Sequence, residues 1–187
     1  MEKETKKTTL YNIIYAIIDI ETTGGKFNEE KITEIAIYKF QNNRLSDQIY
    51  TLVNSVKEIQ PFIQNLTGIN KEMLKKAPKF KDISKKIMHI TNNCILVAHN
   101  ADFDYRVLRN EFTNIGVSFN RKTLCTIELS KELLPEQDSY SLGKLTTSLG
   151  IKIEKRHRAD GDAMATLKLF KMLLEKDKTN VIDRLTK

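Results

Sequence analysis

The chain has 187 residues, 40% of them hydrophobic, with 31 Lys and Arg against 24 Asp and Glu for a formal charge of +7. That length and apolar content suit one domain with its own core and exclude a disordered chain, while no apolar run approaches the roughly 20 residues needed to span a bilayer. The basic surplus suits a polyanionic partner, and the missing signal-peptide pattern and unpaired cysteines point to a cytoplasmic protein.

In chain order, residues 1–11 read as a basic N-terminal tail, and residues 12–21 predict a strand apolar on both faces, hence central in a sheet. Residues 33–40 and a segment from about Gln48 to Val53 predict strands two and three, joined as a meander through the polar turn Gln41-Asn42-Asn43-Arg44. Pro61, the turn Leu66-Thr67-Gly68-Ile69-Asn70 and residues 71–76 predict two short helical pieces. Phe80, Ile83, Ile87 and Ile90 then recur at helical spacing. Strand four is expected over residues 94–98, after which Asn100 stands where it can cap a helix whose apolar face includes Phe103, Val107 and Leu108. Strand five is expected over Thr123 to Ile127 and a short helix over Ser141 to Leu149. A long helix follows from about Arg158 to Glu175, with Ala159, Ala163, Leu167, Phe170 and Leu174 on one stripe. Residues 177–187 read as a C-terminal tail. Cys94 and Cys125 form no Cys-x-x-Cys pair and are expected to be reduced, buried thiols.

Three segments carry the chemistry. Asp19 and Glu21 close the first strand two residues apart, so their side chains share one face, and no Lys or Arg stands between them. Two like charges at a buried strand end are costly unless a cation joins them. The run Val97-Ala98-His99-Asn100-Ala101-Asp102-Phe103-Asp104 passes from a buried strand into a helix. Residues two apart on a helix point about 200° from one another, so only one of Asp102 and Asp104 faces inward. Asp104, within a turn of Ala101, Val107 and Leu108, is the inward one, whereas Asp102 suits the first turn through the helix dipole. The same angle places Asp162 inward and Asp160 away in Arg156-His157-Arg158-Ala159-Asp160-Gly161-Asp162, with His157 on the approach to the helix. Asp19, Glu21, Asp104 and Asp162 therefore converge at the carboxyl edge of the sheet, where α/β proteins collect ligands. Four clustered carboxylates call for divalent cations, and oxygen-only ligands favour two Mg²⁺ or Mn²⁺, an arrangement suited to phosphodiester cleavage.

Asp-x-Glu-Thr-Thr-Gly at 19–24, His-Asn-x-x-Phe-Asp at 99–104 and His-x-x-x-x-Asp at 157–162 resemble the three motifs of the DEDDh 3′–5′ exonucleases. That group includes the proofreading epsilon subunit of bacterial DNA polymerase III and the exonuclease domain of the Gram-positive replicative polymerase. The resemblance runs over roughly residues 12–175, takes in Leu66-Thr67-Gly68-Ile69, and makes residues 12–176 an exonuclease domain. It implies a ribonuclease-H-like α/β fold, a mixed five-stranded sheet with three antiparallel then two parallel strands and helices on both faces. It further implies that Asp19 bridges two metal ions, that Glu21 and Asp162 complete the shell of the first, and that Asp104 holds the second. His157 would be the general base, a task imidazole suits near neutral pH. Thr22 and Thr23 would hold the terminal 3′ nucleotide, with Leu66 and Phe103 against its base and sugar. The implied substrate is single-stranded DNA or a frayed 3′ end, read without sequence preference. The implied partners are a DNA polymerase subunit or a fused nuclease domain, with no membrane.

Lys144, Lys152, Lys155, Arg156 and Arg158 surround the His157 segment and are candidates for phosphate contacts, with the lysines between Lys71 and Lys86 a weaker set. Two rival readings are a 3′ exoribonuclease on the same fold and a noncatalytic nucleic-acid-binding module, the latter having no need of four acids and a histidine.

Overall fold

The computed structural model describes residues 13–187, so the basic tail expected at 1–11 lies outside the described residues. The first three strands, β1 (Tyr15–Thr22), β2 (Ile32–Gln41) and β3 (Arg44–Leu52), form the expected antiparallel meander. Asn42 and Asn43, at φ 51° and 61°, make the two-residue turn between β2 and β3, a left-handed pair that asparagine tolerates better than most residues. Helices α1 (Pro61–Thr67), α2 (Lys71–Lys75) and α3 (Phe80–Ile90) lead to β4 (Ile95–Ala98), followed by α4 (Ala101–Asn114), β5 (Lys122–Cys125), α5 (Thr126–Leu133), α6 (Leu142–Ser148), α7 (Ala159–Lys176) and α8 (Val181–Leu185). The sheet order is β3-β2-β1-β4-β5, with β1, β4 and β5 parallel, which is the mixed five-stranded α/β architecture expected.

Strand alternation divides the core between two faces. Tyr15 and Ile17 of β1 pack with Ala163, Phe170 and Leu173 of α7 and with Val181 and Ile182 of α8. Ala16, Ile18 and Ile20 point the other way, toward Ile87 and Ile90 of α3 and Val107, Leu108 and Phe112 of α4. Both faces of β1 are covered, which is why its sequence is apolar without interruption until Asp19. By the same parity Asp19 and Glu21 project onto the α7 face. Among the described residues no helix is long and apolar enough to cross a membrane.

Several boundaries differ from the sequence reading. β5 ends at Cys125, and Thr126 and Ile127, expected to extend it, begin α5. Thr126 is fully buried, and its hydroxyl meets the carbonyl of Ala98 and the ring of His99, so tertiary contacts override the β propensity of that Thr-Ile pair. The expected tail at 177–187 packs on the domain instead. Asp177 accepts hydrogen bonds from the amides of Val181 and Ile182 that open α8, and Lys187 exchanges two backbone hydrogen bonds with Thr123. Asn100 occupies the N-cap position of α4, but at φ 83° its side chain makes no capping bond. Cys94 is buried and Cys125 only half-buried; both are free thiols.

Candidate active site

The first strand ends in a turn that holds its shape through backbone groups. A register irregularity separates Glu21 from Thr22, the amide of Thr23 donates to the carbonyl of Lys31, and the Thr23 hydroxyl accepts from the amide of Lys31. Thr22 Oγ1 accepts from the amide of Gly24. Gly24 has φ 68°, and a Cβ there would press on the side chains of Gln60 and Ile63, so glycine lets α1 close against the strand end. Gln60 completes the junction by donating its amide to the carbonyl of Thr23.

A second segment approaches from α7. Gly161 in its first turn lies under the carbonyl of Lys155, where any Cβ would collide, and the guanidinium of Arg156 fills the space over Gly143 of α6. These close approaches fold residues 152–158 back on the helix start. His157, at φ 59°, donates its backbone N–H to Asp162 Oδ2 at 3.0 Å. Arg158, one of the candidates for a phosphate contact, is engaged with the sheet. Its Nε and Nη2 donate to the carboxylate of Glu34 and its Nη2 also to Tyr50 Oη. Glu34 is fully buried on β2 directly opposite Glu21, and it also accepts from the amide of Ala159 and the hydroxyl of Tyr50. The start of α7, and with it Asp162, is thereby clamped to the sheet.

Carboxylate oxygens of Asp19, Glu21 and Asp162 lie within 4.8 Å of one another. Asp104 arrives from the opposite face of the sheet, in the first turn of α4. It is only 4% exposed, and its Oδ1 accepts the amide of Ile20 at 3.2 Å, while Asp102 two residues earlier is exposed. All four acids have raised proton affinities, with burial the largest cause in each. Burial, then the charges of Asp104, Glu21 and Asp162, raises the Asp19 carboxyl well above the usual range. Burial pushes Glu21 up to about 7, with Asp162 and Glu34 adding to the shift and Arg158 opposing it. Burial likewise raises Asp104 to about 8 against the pull of two backbone hydrogen bonds, and raises Asp162 against the His157 amide. Asp162 Oδ1 is buried with no hydrogen-bond partner. An orphaned carboxylate oxygen beside two further acids, with oxygen donors only, fits a hard divalent cation.

The remaining residues expected at the site are distributed around it. Thr22 and Thr23 are buried in the turn, the Thr23 hydroxyl being engaged with Lys31 and Gly24. Leu66 is 39% exposed on α1 and Phe103 half-buried on α4. Asp160 turns from the acids and accepts the Tyr38 hydroxyl. His99 of the second motif is a structural residue. Burial lowers its pKa against the pull of the Tyr140 carbonyl, to which Nε2 donates, and Nδ1 meets the Thr126 hydroxyl, each at 2.9 Å. The sequence reading missed Glu34; its signal was a lone acid inside an otherwise apolar, doubly covered strand.

Comparison with known proteins agrees with this geometry. Residues 16–170 match the family model described as Exonuclease. The chain is 36% identical over 172 residues to the 3′-5′ exonuclease DinG of Staphylococcus aureus, an alignment that covers 91% of this chain and 19% of that protein. It thus spans about a fifth of the length of the curated relatives it matches. Among solved structures, exonuclease X in complex with 5′ overhanging duplex DNA superposes at TM-score 0.71 and 24% identity, covering 91% of this chain and 96% of that one. The nuclease domain of 3′hExo, a DEDDh family member bound to rAMP, superposes at TM-score 0.75 and 17% identity, covering 89% and 94%. With one family model spanning both the strand-end acids and the α7 acid, the chain belongs to the exonuclease family.

Proposed function

We propose that the protein is a DEDDh-type 3′–5′ exodeoxyribonuclease that removes nucleoside 5′-monophosphates from single-stranded or frayed 3′ ends, in replication proofreading or repair. The observation that carries the reading is the unmatched acid cluster, Asp19, Glu21 and Asp162 within 4.8 Å with an orphaned oxygen on Asp162, beside buried Asp104. Asp19, Glu21 and Asp162 would hold one Mg²⁺ or Mn²⁺, and Asp19 with Asp104 a second. Bound there, the ions supply Lewis acidity toward the phosphodiester and charge neutralisation for the departing oxygen.

The chain's own groups do the rest. His157 acts as general base, taking a proton from the water that adds to phosphorus, while the bond from phosphorus to the 3′ oxygen of the preceding nucleotide breaks. Its backbone bond to Asp162 holds that residue in register with the acids. The buried turn at Thr22 and Thr23 seats the 3′ nucleotide by backbone groups, and Leu66 and Phe103 contact its base and sugar. Such contacts do not distinguish bases. The motif resemblance to replicative proofreading enzymes supports DNA as the substrate, and the much longer relatives support a working context in a larger chain or beside a polymerase subunit. Two free thiols suit a reducing, cytoplasmic setting.

The test is degradation of 5′-labelled single-stranded DNA beside the matching RNA, with Mg²⁺, Mn²⁺ or EDTA. Stepwise shortening of DNA from the 3′ end that stops in EDTA is expected. Cleavage of a circular single strand, or activity surviving EDTA, overturns the reading, and faster loss of the RNA makes the protein an exoribonuclease.

A further inference from the structure

Six large apolar side chains are exposed among the described residues, and four of them, Phe27, Val56, Phe62 and Leu66, stand on two segments that meet at the catalytic turn. The segments touch directly: Lys57 Nζ donates to the carbonyl of Glu29 and pairs with its carboxylate, and Gln60 donates to Thr23. Exposed apolar surface gathered at one place marks a binding face rather than chance.

Phe27 is 73% exposed, yet one face of its ring is covered. The Arg106 guanidinium lies 4.2 Å from the ring centroid, and that arginine is held in turn by Glu30 and Asn28. The loop is further tied to α4 by Asn110, whose Nδ2 donates to Asn28. The ring is therefore a fixed platform with its other face open to solvent. Phe62 is 70% exposed and lies one helical turn before Leu66 on the same side of α1, so it prolongs the surface that begins at the 3′ pocket. Lys26 beside Phe27 is exposed and has no ion pair among the described residues.

We infer that Phe27 and Phe62 form a stacking collar that grips unpaired bases of the strand upstream of the scissile bond. This rests on the exonuclease reading and adds what that reading lacks, a structural basis for engaging several nucleotides of a single strand. Bases of a duplex are stacked on one another and offer no face to a phenyl ring, whereas unpaired bases do, and ring stacking beside a free lysine serves base and phosphate together. A flat aromatic held from behind loses little freedom on binding, so the platform is organised before the strand arrives.

The experiment compares native protein with Phe27→Ala, Phe62→Ala and the double variant, and uses Phe27→Trp and Phe62→Trp as aromatic replacements. Binding of 5′-fluorescent dT10 is followed by anisotropy in EDTA. Turnover is followed in Mn²⁺ on dT10 and on thymidine 5′-(p-nitrophenyl phosphate), which fills the 3′ pocket without reaching the collar. Each alanine variant is expected to weaken dT10 binding and raise its KM about tenfold. The mononucleotide ester should be hydrolysed at the native rate, and the tryptophan variants should bind dT10 as native or more tightly. Native-like dT10 binding by the double variant overturns the proposal and leaves the collar as a protein-contact surface. Equal losses on both substrates also overturn it, since they place the damage in the pocket. If native protein hydrolyses neither substrate, the exonuclease reading falls, and the anisotropy comparison still decides the collar.

Discussion

Glu34 is fully buried and the group formed by Asp19, Glu21 and Asp162 is half-buried at the same end of the sheet, and their surroundings treat them oppositely. Glu34 meets Arg158 through two nitrogens, the Ala159 amide and the Tyr50 hydroxyl, so its charge is matched. The three clustered acids share a single donor from the described residues, the His157 amide, and one Asp162 oxygen has none. Burial with partners makes Glu34 a structural clamp, and crowding without them leaves carboxylates that must take up a proton or bind a cation. The difference separates framework from site more sharply than burial, since Glu34 is the more deeply buried of the two groups.

The largest expected effect tests the unmatched side. Asp19→Asn or Asp104→Asn should lower turnover on the order of a thousandfold, the scale of losing a group that holds transition-state charge, as read by release of labelled mononucleotide. The same variants should be more stable than native protein in EDTA, and the gap should depend on pH. Asp104 and Glu21 keep their protons in the folded state up to about 8 and about 7, against ordinary values of 3.8 and 4.5. The unfolded chain releases protons first, so stability present below about pH 4 is lost as pH rises toward 8. Native Tm in EDTA should fall over that range by about 4 °C or more relative to Asp104→Asn, and Mn²⁺ should restore it. A parallel fall in both proteins would show that ionisation of Asp104 is not its source, and no fall in native protein would show that the acids are matched after all.

Next in size, His157→Ala should lower turnover about a hundredfold, the usual scale for a general base. Cation affinity, measured by calorimetry, should be unchanged, because the imidazole is not among the grouped ligands. The matched side is tested by Arg158→Ala, which strands a fully buried Glu34 carboxylate and should cost about 3 kcal/mol in denaturant unfolding. Glu34→Gln should cost less, since it removes the charge that needs a partner. The reverse order would place the clamp's value in arginine packing. Smallest of all, Asp102→Asn and Asp160→Asn should keep near-native turnover, with Asp160→Asn losing about 1 kcal/mol of stability through its bond to Tyr38. Loss of activity in Asp102→Asn would contradict its exposed position.

Much of the architecture was legible because periodicity reports burial directly. β1 is apolar at every position until Asp19, as a strand covered on both faces must be, and α3 shows the helical recurrence of Phe80, Ile83, Ile87 and Ile90. The inward acid of each helical pair could be read from the 100° step alone, and the structure buries Asp104 and Asp162 while Asp102 stays exposed. The element missed at α5 begins with Thr126 and Ile127, which carry β propensity, and its helical state is set by contacts to β4 that local sequence does not contain. The ion pair of Arg158 was not legible for a similar reason, its partner Glu34 lying 124 residues away.

By itself the sequence determined which chemistry is present, two carboxylates at a strand end and one on each of two helix starts, because side-chain type and local period are properties of neighbouring residues. Only the tertiary structure decided which charges are matched. Glu34 acquires its donors from α7 and β3, Asp162 keeps a bare oxygen, and Phe27 gains a guanidinium behind its ring from α4. Hydrogen bonds and Coulomb attraction act over a few ångströms in space, without regard to distance along the chain, so the balance of a buried charge exists only once the chain has folded.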